Sequence, residues 1–263
     1  MEYIRALILG LIQGFTEFLP VSSSGHLEIA KFLLNDDKLA SESLIETVVL
    51  HLATALSTIV IFRKEILSII GGFLKNGPKR EGFYGFLILI SMIPAALVGV
   101  MFNDEIESLF DKNVLLVGLM LLMTGLILFA ADRAKTNGRE LNITSAIIIG
   151  VAQAIAILPG ISRSGATIGM ALLSGHKRED VAKFSFLMVI PLILGKVAKD
   201  IIDGGFNFDG FNSLALAFGF IAAFISGWVA CKWMIQLVTR TQLKYFGYYC
   251  FFAGSIALAL ALT

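Results

Sequence analysis

A carboxylate, an imidazole and three hydroxyls fall within one ten-residue window: Glu17, Ser22, Ser23, Ser24 and His26. Far downstream, a guanidinium is set among hydroxyls at Ser162, Arg163, Ser164 and Thr167. A serine hydroxyl is a weak nucleophile until a neighbour takes its proton, and His and Glu are the usual neighbours. The planar fork of Arg163 can hold phosphate oxygens two at a time. Small residues around it let backbone N–H groups approach an anion, and a helix starting near Gly165 would aim its positive end at the same place. Ser162, Ser164 and Thr167 add neutral donors. Gln13 lies four residues before Glu17, so the two share a face of one helix. That helix should end before Pro20, leaving the carboxylate beside the turn 21–26. These side chains imply one shared site for a phosphorylated lipid. Plainer roles compete: a cap for Ser24 or Gly25, a surface-reaching Glu17, a helix-packing Gln13, or an Arg163 that only pairs with Glu17.

The elements that would position these groups are set by hydrophobicity. The chain has 263 residues, 57% of them hydrophobic, with a mean hydropathy of +0.83. Soluble domains are about 45–50% apolar, so this composition indicates an integral membrane protein. A net charge of +1 gives no case for nucleic acid. Cys231 and Cys250 lie in apolar stretches and read as packing residues. Six stretches are long and apolar enough to span a bilayer: 44–62, 83–102, 114–131, 184–201, 213–233 and 245–262. Lysine and arginine concentrate in 63–81, 132–140, 176–183 and 232–244, which the positive-inside rule places in the cytoplasm. The acid-rich stretches 34–46, 103–112 and 199–212 fall outside, as do both termini.

Residues 143–175 are strongly apolar yet flanked by basic stretches on both ends. Thirty-three residues are too few for two spans and a turn, which need roughly 40. The segment is therefore expected to dip into the membrane and return. Residues 3–33 carry the same signature. LGLIQGFTEFLPVSSSGH at 9–26 aligns without a gap on IGVAQAIAILPGISRSGA at 149–166, an offset of 140 that also separates the spans at 44 and 184. The expected fold is all-α and integral to the membrane, a single domain over 1–263. It is an inverted-topology repeat whose halves, 3–131 and 143–262, each comprise a re-entrant helix hairpin plus three transmembrane helices. Such repeats place their site near the midplane, where the two turns would meet.

At these residues the chain resembles the undecaprenyl-diphosphate phosphatase family, integral membrane enzymes associated with bacitracin resistance. The resemblance rests on an (E/Q)-x-x-x-E segment with a Ser/Gly/His turn, here Gln13 to Glu17 and then Pro20 to His26. It rests equally on P-G-x-S-R-S-x-x-T, here Pro159, Gly160, Ser162, Arg163, Ser164 and Thr167. It covers essentially the whole chain. It implies removal of the terminal phosphate from undecaprenyl pyrophosphate, recycling the cell-wall lipid carrier at the bacterial plasma membrane through an outward-facing site. It also implies a divalent cation, Mg or Ca, held at Glu17 and Gln13. Many members carry Glu where this chain has Gln13, so the first ligand here would be a neutral amide.

On that footing Glu17, Ser23, His26 and Arg163 are the expected catalytic residues, with Ser23 as nucleophile and His26 as its base. A phosphorylated His26 and direct attack by water are the alternatives. Ser22, Ser24, Ser162, Ser164 and Thr167 are the expected substrate contacts. The expected partners are a polyprenyl pyrophosphate lipid and the surrounding membrane lipids, and a homodimer is compatible with the pattern. A secondary transporter or lipid flippase on the same repeat is the rival function. Ser-Gly-His at 24–26 resembles a phosphatidic-acid-type phosphatase, but the other motifs of that class are missing.

Overall fold

A computed structural model describes residues 2–34, 40–74, 80–110, 113–135, 137–202, 212–240 and 242–262. Twelve helices and no strand form among them. The first is α1 (Glu2–Phe18), which the turn 19–22 joins to α2 (Ser23–Leu33). The arms of the second hairpin are α8 (Ile143–Ile155) and α9 (Arg163–Leu173). The α8 arm has 13 residues, about 20 Å of helix against a bilayer core of about 30 Å.

The remaining helices are α3 (Ala40–Ile61), α4 (Arg63–Leu74), α5 (Arg80–Met101), α6 (Asn103–Leu109), α7 (Val114–Asp132), α10 (Arg178–Ile202), α11 (Ser213–Arg240) and α12 (Lys244–Ala261). All six expected spans fall on helices. By length and composition α5, α7, α10 and α11 could each cross a membrane, and α3 with α4 makes a fifth candidate bent by 77° at Phe62. Residues 63–74, within the basic stretch 63–81 expected in the cytoplasm, are thus helical. Helix α12 does not qualify on composition, because Lys244, Tyr245, Tyr248 and Tyr249 dilute its first turns. Within the acid-rich stretch 103–112, residues Asn103–Leu109 fold as α6. The protein is an all-helical, multi-pass membrane protein.

Helix α10 is the centre. Phe184, Phe186, Leu187, Met188 and Val189 are buried around its whole circumference, and it touches α3, α5, α9 and α11. Helix α5 faces outward instead, exposing Phe86, Leu89, Ile93, Leu97 and Val100. Such a continuous apolar face suits lipid. Both prolines inside helices, Pro94 and Pro191, lie in these two spans, where neighbouring helices can satisfy the freed carbonyls.

Close helix crossings are made by glycines. Helix α1 lies along α11, where a Cβ on Gly10 would strike the Gly219 carbonyl and a Cβ on Gly14 would strike Ser226. Helix α8 lies along α5 in the same manner: a Cβ on Gly150 would sit 2.5 Å from the Ser91 carbonyl oxygen. Helices α7 and α12 cross at Gly118 with Gly254 and at Gly125 with Gly247. Without a hydrophobic drive between helices in lipid, such intimate packing is what holds them together.

Gly10→Ala should therefore destabilise the protein by about 1–3 kcal/mol through overpacking. Gly99→Ala, where nothing lies within 4 Å of the added methyl, should not. Thermal unfolding in detergent compares the two.

Candidate active site

Helix α1 ends at Phe18, just before Pro20, and the chain reverses through a turn closed by the Val21 N–H on the Leu19 carbonyl, 2.8 Å. Helix α2 is capped by Ser22, whose hydroxyl accepts the Gly25 N–H at 3.2 Å. Helix α9 is capped by Ser162, whose hydroxyl accepts the Gly165 N–H at 3.1 Å. On α2 the cap thus falls at Ser22, ahead of both expected positions, Ser24 and Gly25. Each cap pairs with a second hydroxyl: Ser22 with Ser24 at 3.3 Å, Ser162 with Ser164 at 3.2 Å. Ser22 holds φ +70°, the left-handed region that costs a non-glycine residue on the order of 1 kcal/mol.

The two turns touch. A Cβ on Gly25 would lie 3.1 Å from the Cα of Gly160, and one on Gly165 would lie 3.4 Å from the Pro20 ring. The Ser164 hydroxyl donates to the Leu19 carbonyl at 3.2 Å. Gly160, at φ +98°, packs against the Val117 carbonyl, a place closed to any side chain. The Thr124 hydroxyl of α7 donates to the Gly160 carbonyl and accepts the Ser162 N–H, both at 3.0 Å. One hydroxyl on a span thereby fixes the second turn.

At this junction Arg163 meets Glu17. Its Nη2 donates to Glu17 Oε1 at 2.5 Å, and Nη1 donates to the Ser185 carbonyl at 3.3 Å. The other carboxylate oxygen accepts from the Ser23 hydroxyl at 2.6 Å and from Gln13 Nε2 at 3.0 Å. His51 Nε2 stands 3.7 Å from the same oxygen. Glu17 is 7% exposed and Gln13 is fully buried, so the carboxylate is desolvated and its partners are protein groups.

Several expected roles change. His26 does not face Ser23: its Nδ1 is bonded to the Ser22 carbonyl and its Nε2 to the Tyr249 hydroxyl, both at 2.7 Å. The acceptor at the Ser23 hydroxyl in this structure is Glu17, where the sequence reading expects His26. Ser22, Ser162, Ser164 and Thr167 are buried. Their hydroxyls cap helices, bridge the turns or, for Thr167, bond the Arg163 carbonyl and the Ser185 hydroxyl at 2.9 and 2.6 Å. They build the site, whereas Ser23, Ser24, His26 and Arg163 remain half-buried and reachable. A helix N-cap needs the oxygen inward, which sequence spacing alone does not reveal.

Sequence reading missed Thr124, Ser185 and Tyr249 and did not place His51 beside Glu17. A lone threonine in the apolar stretch 114–131 was the available signal for Thr124. The others carry no local pattern.

A divalent cation has limited protein donors here. Among the described residues no three His, Cys, Asp or Glu side chains gather around one point. The Gln13 Oε1 atom is buried without a hydrogen-bond partner, beside the Glu17 carboxylate. A carboxylate and an amide oxygen fit a hard cation that takes its remaining ligands from water and phosphate.

A family model for bacitracin resistance protein BacA matches residues 6–256. The chain belongs to this family. BacA-family relatives agree over nearly the full length. An undecaprenyl-diphosphatase of Christiangramia forsetii is 52% identical, covering 99% of both chains. One of Bacteroides fragilis is 48% identical with the same coverage. One of Methanobrevibacter smithii is 39% identical, covering 100% of this chain and 99% of its own.

Removing Arg163 leaves a buried carboxylate unpaired. Arg163→Met should cost about 3 kcal/mol of stability, and adding Glu17→Gln should recover most of it. Unfolding midpoints of the two single variants and the double variant measure the coupling.

Proposed function

We propose that the chain hydrolyses undecaprenyl pyrophosphate to undecaprenyl phosphate and phosphate, recycling the cell-wall lipid carrier in a bacterial plasma membrane. The observation that carries this is the joint hold on Glu17: a guanidinium on one oxygen and a serine hydroxyl on the other. A diphosphate needs a cationic fork, and a serine that attacks phosphorus needs an acceptor for its proton. Both meet at one carboxylate, and the full-length likeness to undecaprenyl-diphosphatases supports the same substrate.

In this reading a diphosphate takes Arg163 donors now spent on Glu17. Losing that neighbour raises the basicity of the carboxylate, which takes the Ser23 proton. Ser23 Oγ bonds to the terminal phosphorus, the bridging P–O bond breaks, and undecaprenyl phosphate leaves. Water then cleaves the seryl phosphate and frees phosphate. Glu17 and Gln13 would hold a divalent cation, which supplies charge neutralisation to the diphosphate when bound.

We also propose an inverted repeat with both hairpins re-entrant, both termini outside and the site open outward. Support comes from aligned residues doing matched work. Ser22 and Ser162 cap equivalent helices, and Gly10 and Gly150 carry α1 and α8 against spans of the opposite half. The excess of basic residues in 63–81, 132–140, 176–183 and 232–244 supports the orientation. The same repeat favours a lipid transporter as the second reading.

Phosphate release from undecaprenyl pyrophosphate by the reconstituted protein decides between them. The wild type should turn over, and Ser23→Ala should lower kcat at least about 100-fold with substrate still bound. Lipid moved between leaflets without phosphate release would favour the transporter.

A further inference from the structure

The imidazole of His26 is gripped at both nitrogens. Nδ1 lies 2.7 Å from the Ser22 carbonyl oxygen, and Nε2 lies 2.7 Å from the Tyr249 phenol oxygen. A carbonyl only accepts, so Nδ1 carries the proton, and the neutral ring offers a lone pair at Nε2. The Tyr249 hydroxyl donates to it. The two rings lie 9° from parallel with centroids 5.5 Å apart.

Tyr249 arrives from α12, 223 residues further along the chain. Its side chain is 44% exposed, so burial alone does not account for its placement. His26 is the one hydrogen-bond partner of its hydroxyl among the described residues. The Ser22 carbonyl that fixes the other nitrogen belongs to the residue at φ +70° and also accepts the His26 backbone N–H at 3.2 Å. A strained residue and a phenol from the far end of the chain thus converge on one ring.

We propose that Tyr249 is a positioning residue that keeps the His26 imidazole in a single tautomer and orientation on the turn that carries Ser23, so that the ring meets the bound diphosphate. This rests on the phosphatase reading above. The phenol suits the task because it both donates and accepts. It donates to Nε2 of the neutral ring and accepts from Nε2–H of the imidazolium. The contact therefore survives gain or loss of a proton by His26, which a phenylalanine could not arrange.

Tyr249→Phe removes the hydroxyl and keeps the ring. With undecaprenyl pyrophosphate as substrate, kcat should fall about tenfold while KM stays within about twofold, short of the 10²–10⁴-fold worth of a group that itself transfers the proton. Nitrogen-15 spectra of histidine-labelled protein in detergent supply a readout that packing would not move. The His26 ring, assigned against His26→Gln, should show one Nδ1–H tautomer in the wild type and a mixture in Tyr249→Phe. Tyr249→Leu, which also deletes the ring, should be no slower than Tyr249→Phe. Wild-type kcat in Tyr249→Phe overturns the proposal, as does a lowered kcat with unchanged His26 resonances. A wild type that releases no phosphate sinks the phosphatase reading instead, and the spectra alone then decide whether Tyr249 holds the ring.

Discussion

Burying a lone carboxylate or guanidinium costs several kcal/mol, so Glu17 and Arg163 are tolerated in the interior only as partners. Their contact joins a helix at the start of the chain to one beyond its midpoint, 146 residues apart. Much else follows from keeping it. The turns must come close, which demands Gly25, Gly160 and Gly165 at their junction. The guanidinium must be aimed, which the Ser185 carbonyl achieves. The second carboxylate oxygen must be satisfied, and Ser23 and Gln13 do so. A salt bridge that holds the fold is then also the place where an anionic head group would compete for the cation.

Much of this was legible in the sequence, and the legible part has a physical reason. Hairpin boundaries at 3–33 and 143–175 could be read because prolines stop helices and serines start them. The doubled motif foretold that Glu17 and Arg163 share a site. The direction in which a side chain points is a tertiary fact, and there the reading was weaker. Spacing brought His26 within reach of Ser23, yet the Ser22 carbonyl and Tyr249 turn the ring away. Hydroxyls expected to meet a ligand are drawn inward by backbone N–H groups that need them. Tyr249 and Ser185 act from helices distant in sequence, with nothing local to mark them. His51 resembled any hydrogen-bonded residue of a span until α3 brought it alongside Glu17.

The spans show the same division. Every stretch that hydropathy selects falls on a helix, and α5, α7, α10 and α11 are long and apolar enough to cross, because burial in lipid selects composition over a length set by the bilayer. Hydropathy did not foresee that α3 would turn by 77° into α4, since a basic amphipathic segment reads as a loop when only charge is counted. It also gave no hint that α10 would be enclosed while α5 stays peripheral, for both are apolar all round.

The lie of α1 along α11 puts an order on how the protein is made. Ser226 of α11 approaches the Gly10 carbonyl of α1 from 216 residues downstream. A nascent chain therefore hands its first hairpin to the insertion machinery long before the surface that will enclose it has been translated. Until Arg163 has been made, Glu17 has no guanidinium, and must stay protonated, hydrated or sheltered by another protein. Insertion and final closure are thus separate events, and a transcript truncated before residue 213 would yield a hairpin whose inner face stands open to quality-control proteases.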